Sequence, residues 1–177
     1  DLEVLNIVAA QISLAIQRKQ AETALQESEK KLSSLFAAMT EIVVLHELVF
    51  DGQGQPVDYR ILDCNRAFAD MTGITREMAI GRLATDLYQT AAAPYLDIYG
   101  RVATSGAAEQ FQTYYAPLNR HFLISVVVTA HNQFATVTTD ISEEVRREQE
   151  LRRDIELASR VQSELLKTAA PPLDEVL

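Results

Sequence analysis

Residues 1–40 contain neither glycine nor proline and are rich in Ala, Leu, Gln, Glu and Lys. Such a stretch reads as one unbroken helix. At 1.5 Å per residue it would be about 60 Å long, more than a small domain can cover. Leu5, Val8, Ile12 and Ala15 form one apolar stripe, and Ala21, Leu25, Ser28, Leu32, Leu35 and Met39 form a second. Ile12 and Leu25 do not fall in one heptad frame, which predicts a slip of the frame near Arg18–Gln20. A seam this narrow needs a partner helix, and a second copy of the chain is the simplest one.

The other end repeats the pattern. Residues 141–166 read as helix, opening on the acids Glu143 and Glu144, where the helix dipole favours negative charge. Leu151, Ile155, Ala158, Val161 and Leu165 make a single stripe, and Arg146/Glu150 and Arg152/Glu156 are spaced for ion pairs on one face. Pro171-Pro172 is expected to end this helix. A chain of 177 residues has room for one ordinary domain and its flanks. The reading is therefore an N-terminal linker helix over 1–34, a domain over 35–140 and a signalling helix with linker over 141–177. The opening Asp1 suggests a piece excised from a longer protein.

The middle carries the globular signals. Glu41–Phe50 and Pro56–Cys64 read as strands around the turn Asp51-Gly52-Gln53-Gly54. Asn65–Met71 and Thr75–Ile80 read as short helices separated by Thr72-Gly73 and stopped at Gly81, with Asn65 as an N-cap. Pro94–Thr104 is a longer helix ended by Ser105-Gly106. Glu109–Tyr115, His121–Ala130 and Phe134–Thr139 then read as three strands of an antiparallel meander. Two strands, short helices and three strands define an α+β fold: a five-stranded antiparallel sheet with helices on one face, flanked by coiled-coil-type helices.

Charge and composition exclude several classes. The formal net charge of −9 argues against a nucleic-acid partner. Cys64 is the single cysteine, which excludes a disulfide framework and a multi-cysteine zinc site and fits a reducing, cytoplasmic setting. No apolar run approaches the roughly 20 residues of a membrane span, and the first residues lack the basic start of a signal peptide.

The order of elements, and the run Asn65-Arg66-Ala67-Phe68 through Thr72-Gly73 and Glu77 to Gly81, resemble a PAS domain. So do the hairpin Asp51–Arg60 and the segment Thr139-Asp140-Ile141-Ser142, which is similar to the D-I-T signature at the start of an output helix. Residues 1–17 resemble the closing helix of a GAF domain. Leu157–Leu166 with Pro171-Pro172 is similar to the segment preceding SpoIIE-type (PPM) serine/threonine phosphatase domains, although Lys167 stands where that family has proline. These resemblances imply a sensory and dimerisation module of a bacterial-type signalling protein, relaying through Asp140 and Ile141 to an output domain beyond residue 177, a serine/threonine phosphatase. The alternatives are a ligand-free dimerisation spacer, or the PAS module of a histidine kinase or diguanylate cyclase.

Catalysis is not expected of this chain, which pairs no nucleophile with a base. No histidine follows His131, so the C-terminal helix lacks a kinase phosphoacceptor. The segment Gly81–Leu87 carries Ala84 where flavin-adduct members of the resembled family carry cysteine, and Pro94–Thr104 has no axial histidine for haem. His46, His121 and His131 read as ordinary strand or surface histidines without metal-ligand spacing, and Cys64 as a small strand-end residue. No cofactor is evident; a small organic ligand is the remaining class. The residues expected to line its pocket are Phe68, Met71, Ile80, Leu87, Tyr95, Ile98, Tyr99, Phe111, Leu123 and Val127, with Arg82 and Arg101 as carboxylate-binding groups. The same apolar residues also serve as an ordinary core.

Overall fold

The computed structural model describes residues 2–169, with side chains over residues 11–165. The stripe residues Leu5 and Val8 and the Pro171-Pro172 stop lie outside that range. Helix α1 runs Leu2–Ala38, unbroken through Arg18–Gln20. Strands β1 (Ile42–Phe50) and β2 (Pro56–Cys64) follow, then short helices α2 (Arg66–Thr72), α3 (Arg76–Ala79) and α4 (Ala84–Tyr88), and α5 (Leu96–Ser105). Strands β3 (Glu109–Tyr115), β4 (Arg120–Ala130) and β5 (Gln133–Asp140) lead to α6 (Ser142–Ala169). The sheet has five strands in the order β2-β1-β5-β4-β3, so the expected α+β architecture with two long flanking helices is present.

Caps explain the short helices. Asn65 accepts from Phe68 N at 3.3 Å and starts α2, and Gly73, at φ 73°, ends it. Thr75 caps α3 by accepting from Met78 N at 3.4 Å. Helix α4 escapes sequence reading for a physical reason: Leu83 precedes it with no side-chain cap, and Gln89 in the left-handed region ends it. Helix α5 starts two residues later than expected because Tyr95, at φ 57°, cannot be helical. Near its middle, Gly100 lies against β2: a Cβ there would stand 3.0 Å from Pro56 Cγ.

Asn65 does more than cap. Its Oδ1 also accepts from Val43 N at 3.0 Å, and its Nδ2 donates to Glu41 O at 2.8 Å. One buried amide thus ties the start of β1 to the start of α2. Asn65→Ala strands the buried Val43 N–H and is expected to cost about 2–3 kcal/mol, read as a lower urea midpoint at unchanged slope.

The chain divides into two compact units. One comprises residues up to Glu109 with Ser125–Val137; the other comprises Gln110–Ile124 with the residues from Thr138. In the first, β1 and β2 form an antiparallel hairpin with register shifts at Leu45/His46 and Val49/Phe50. Asp51 closes its turn by accepting from Gln53 N and Gln55 N at 2.8 and 2.9 Å. The core of this unit is built from Val44, Leu48, Tyr59, Ile61, Phe68, Tyr99, Val102 and Phe134. The second unit carries β3, the first part of β4 and α6.

The long helices lie open. Every side chain of α1 from residue 11 to 35 is exposed, and Phe36 is the first that is half-buried. Every side chain of α6 from 146 to 165 is exposed. The ion pairs on α6 include Arg147–Glu143 at 3.1 Å and Arg152–Glu148 at 3.9 Å, so Arg152 reaches back one turn and not forward to Glu156. Exposed pairs of this kind contribute little.

Candidate functional site

The interior of the first unit is an aromatic cluster centred on His46, an inward-facing residue of β1. Its ring stacks on Phe134 (centroids 4.7 Å, planes 16° apart) and on Tyr99 (6.0 Å, 26°), and meets Tyr59 edge-on at 5.1 Å. Tyr99 in turn contacts Tyr59 at 5.3 Å, Phe134 at 4.9 Å and Tyr95 at 6.0 Å. Strands β1, β2 and β5 and helix α5 each supply at least one ring.

His46 Nε2 lies 2.9 Å from Thr136 Oγ1, and Nδ1 is buried with no hydrogen-bond partner. Burial lowers the imidazole pKa from the ordinary 6.5 to about 3, so His46 is neutral at physiological pH. Burial likewise raises the Tyr59 and Tyr99 phenols, with neighbouring tyrosines adding to the effect. The buried Asp58 carboxylate accepts from Thr85 Oγ1 at 2.5 Å and from Tyr59 N at 2.7 Å. The cluster offers aromatic faces, neutral hydroxyls and one unused imidazole nitrogen.

The pocket residues expected from sequence divide. Tyr99 and Tyr95 belong to the cluster, Phe68 is buried in the same unit, and Met71, Leu87 and Ile98 are half-buried there. Phe111 is half-buried on β3. Two positions are corrected by strand parity: Phe122, Ile124 and Val126 are the buried residues of β4, so Leu123 and Val127 point to the other face, with Val127 39% exposed. Ile80 is also exposed, because Gly81 (φ 78°) turns the chain at the surface. Arg82 is exposed, and Arg101 is committed to Glu109 through paired bonds of 2.6 and 2.8 Å. Neither arginine faces the cluster.

His46, Tyr59, Phe134 and Thr136 were not among the expected site residues. The signal was weak: Val44, His46 and Leu48 are buried and Leu45 and Glu47 half-buried between them, but Ile42-Val43-Val44 is buried on both parities. Cys64 is 1% exposed at the end of β2, with burial and the Asp63 carboxylate pushing its thiol pKa up, as suits a packing residue.

A second cluster lies in the other unit, at the start of α6. Asp140 pairs with Arg120 and accepts from Ser142 N at 3.0 Å. Ser142 Oγ accepts from His121 N at 2.9 Å, and Ile141 N donates to His121 O at 2.9 Å. Burial pushes the Asp140 carboxyl pKa up, but hydrogen bonds from Ser142 and Arg120 together outweigh it and hold the group below its ordinary value. The two expected relay residues are thus fastened to the first residues of β4.

Helix α1 is continuous through Arg18–Gln20, where the change of heptad frame between Ile12 and Leu25 is expected. Exposed Leu14 lies eleven residues before Leu25, one heptad plus four. Leu14 thus shares the heptad spacing of Ala21, Leu25, Ser28, Leu32 and Leu35.

Among known proteins, residues 30–102 match the model of a PAS domain family. Solved structures with a similar fold include a domain of an HTR-like protein from Haloarcula marismortui, at 20% identity and TM-score 0.45, over 58% of this chain and 99% of that one. Another is a domain of a sensory box sensor histidine kinase/response regulator from Geobacter sulfurreducens, at 15% identity and TM-score 0.42, over 66% and 96%. A third is the PAS domain of BvgS from Bordetella pertussis, at 18% identity and TM-score 0.41, over 78% and 98%. No curated protein sequence matches the chain. Among the described residues no helix is long and apolar enough to cross a membrane, and no group of His, Cys, Asp and Glu is placed to hold a metal ion.

Proposed function

We propose that the chain is a PAS sensory and relay module of a multidomain, cytoplasmic signalling protein, dimerising through α1 and α6 and passing a signal along α6 to an output domain. The segment Leu157–Leu166 favours a serine/threonine phosphatase as that output. In this reading the chain performs no chemistry of its own and carries neither a flavin adduct nor haem.

The observation that supports it best is the fastening of α6. Three interactions hold Asp140, Ile141 and Ser142 to Arg120 and His121, and Ser142 N donates to Asp140 within the segment, so a shift of β4 is transmitted to the helix start. A difference of about 1–3 kcal/mol between two settings of this junction suffices to bias an output. Asp140→Ala with Ser142→Ala is expected to speed amide exchange at Val145 and its neighbours about tenfold or more while leaving β1 and β2 protected. Unchanged protection of the first α6 turn would remove the junction from the relay.

A ligand-free spacer is the second reading, favoured by the contact distances of 4.7–6.0 Å among the interior rings. Native mass spectrometry separates the two: a retained small molecule supports sensing, an empty chain the spacer.

A further inference from the structure

The two edges of the sheet end differently. The order β2-β1-β5-β4-β3 leaves β2 and β3 outermost. Along β2 the segment Gly81–Leu83 forms a strap. Gly81 N donates to Ile61 O at 2.8 Å, Ile61 N donates to Arg82 O at 3.0 Å, and Leu83 bridges antiparallel to Arg60. The backbone of an edge strand is a template for a further strand, and folds blunt it with a cover of this kind, or with lysine, proline or a bulge. Strand β3 is built otherwise. It has β4 on one side, and among the described residues no strand lies on the other. Its residues Gln110–Tyr115 include no charge, no proline and no glycine, and Glu109 at its start is held by Arg101. We propose that β3 is a docking edge for the β3 of a second copy of the chain, the two strands running antiparallel about a two-fold axis at Gln112. This goes beyond the sensory reading above and does not depend on the helix seams.

The choice of a second copy comes from self-complementarity. Gln112 is the middle residue of Glu109–Tyr115, so an axis there pairs the whole strand. Gln110 then stands opposite Tyr114 of the second copy, Phe111 opposite Thr113, and Gln112 opposite itself. Gln110, Gln112 and Tyr114 are the exposed residues of the strand. One face of the joint therefore carries two Gln–Tyr pairs around a Gln–Gln pair, whose amides both donate and accept. The other face sets Phe111 against Thr113. The two Glu109 carboxylates stand six positions apart, about 20 Å, where salt screens their repulsion. A strand bearing lysine or glutamate would find no opposite charge between Gln110 and Tyr115, whereas β3 itself is the uncharged partner this edge fits.

A joint of one short strand a side falls well below the roughly 20–30 residues a side of a stable interface, so it holds weakly and the test traps it covalently. Opposite residues of an antiparallel pair stand about 4.5–5.5 Å apart at Cα, within disulfide range. The intact chain carrying Gln112→Cys is treated with diamide, which takes up the two electrons and two protons that a pair of thiols gives up. A disulfide-linked dimer is expected, forming at least about tenfold faster than with Gln110→Cys, whose two copies stand four positions apart, about 14 Å. Gln110→Cys combined with Tyr114→Cys should link as fast as Gln112→Cys. Both glutamines are exposed, and circular dichroism checks the fold of each variant. Cys64, 1% exposed, gives the background, measured on the wild-type chain. Equal rates for Gln110→Cys and Gln112→Cys overturn the proposal, because chance collision would give them. A Gln112→Cys chain that forms no linked dimer overturns it too. So does peptide mapping that finds the new thiol joined to Cys64, which would put another part of the chain against this edge.

Discussion

Lowering the pH from 7 to 4.5 is expected to reduce the stability of the first unit by about 2–3 kcal/mol through His46 alone. In the unfolded chain the imidazole takes up its proton near pH 6.5, whereas in the fold uptake waits until about pH 3. Between those values the unfolded state holds one more proton, so stability falls as the pH falls, at about 1.4 kcal/mol per unit. Above pH 6.5 both states are neutral and His46 gives no slope. The clean comparison is the double variant His46→Phe with Thr136→Val. It removes both partners of the 2.9 Å bond and leaves no stranded hydroxyl. Urea titrations at several pH values should show the wild-type stability descending through this window, with the double variant flatter by the His46 share. Parallel curves would mean that His46 is not buried as described.

Leu151→Asp with Ile155→Asp is expected to turn a dimeric chain into a monomer, weakening association at least a hundredfold. Both side chains are 61% exposed on α6, one turn apart on the same seam. Each would bury roughly 1.5–3 kcal/mol of apolar surface in a helix pair, and each carboxylate would face its like. Sedimentation over a concentration series reads the change, and circular dichroism guards against loss of helix. A wild-type chain that sediments as a monomer at high concentration would remove the dimer and with it the relay through paired helices. The same double variant has no reason to disturb Tyr59, Tyr99 or Phe134.

Why some of this was legible in sequence, and some was not, is a matter of local against non-local cause. The strands Ile42–Phe50 and Pro56–Cys64 are bounded by turn chemistry that acts within a few residues, and Asn65, Thr75 and Gly106 mark helix ends by hydrogen bonds or backbone freedom of their own. The face of β4 was not legible: Val126, Val127 and Val128 put an apolar side chain on both faces, so alternation gives no parity there. Arg101 looked like a free cation because its partner, Glu109, stands on another element. His46 was passed over because an imidazole is read as polar, yet its place on β1 is set by Val44 and Leu48 on either side. The chemistry of the cluster depends on Thr136, ninety residues away in sequence, which no local pattern announces.

Gly100 gives α5 a fulcrum. The helix runs ten residues, Leu96–Ser105, and at Gly100 it lies so near β2 that a Cβ would stand 3.0 Å from Pro56 Cγ. A short stiff rod resting on one hard point tilts more readily than it slides. Any substituent at position 100 would therefore press on the Pro56 ring and lever α5 away from the β1–β2 hairpin.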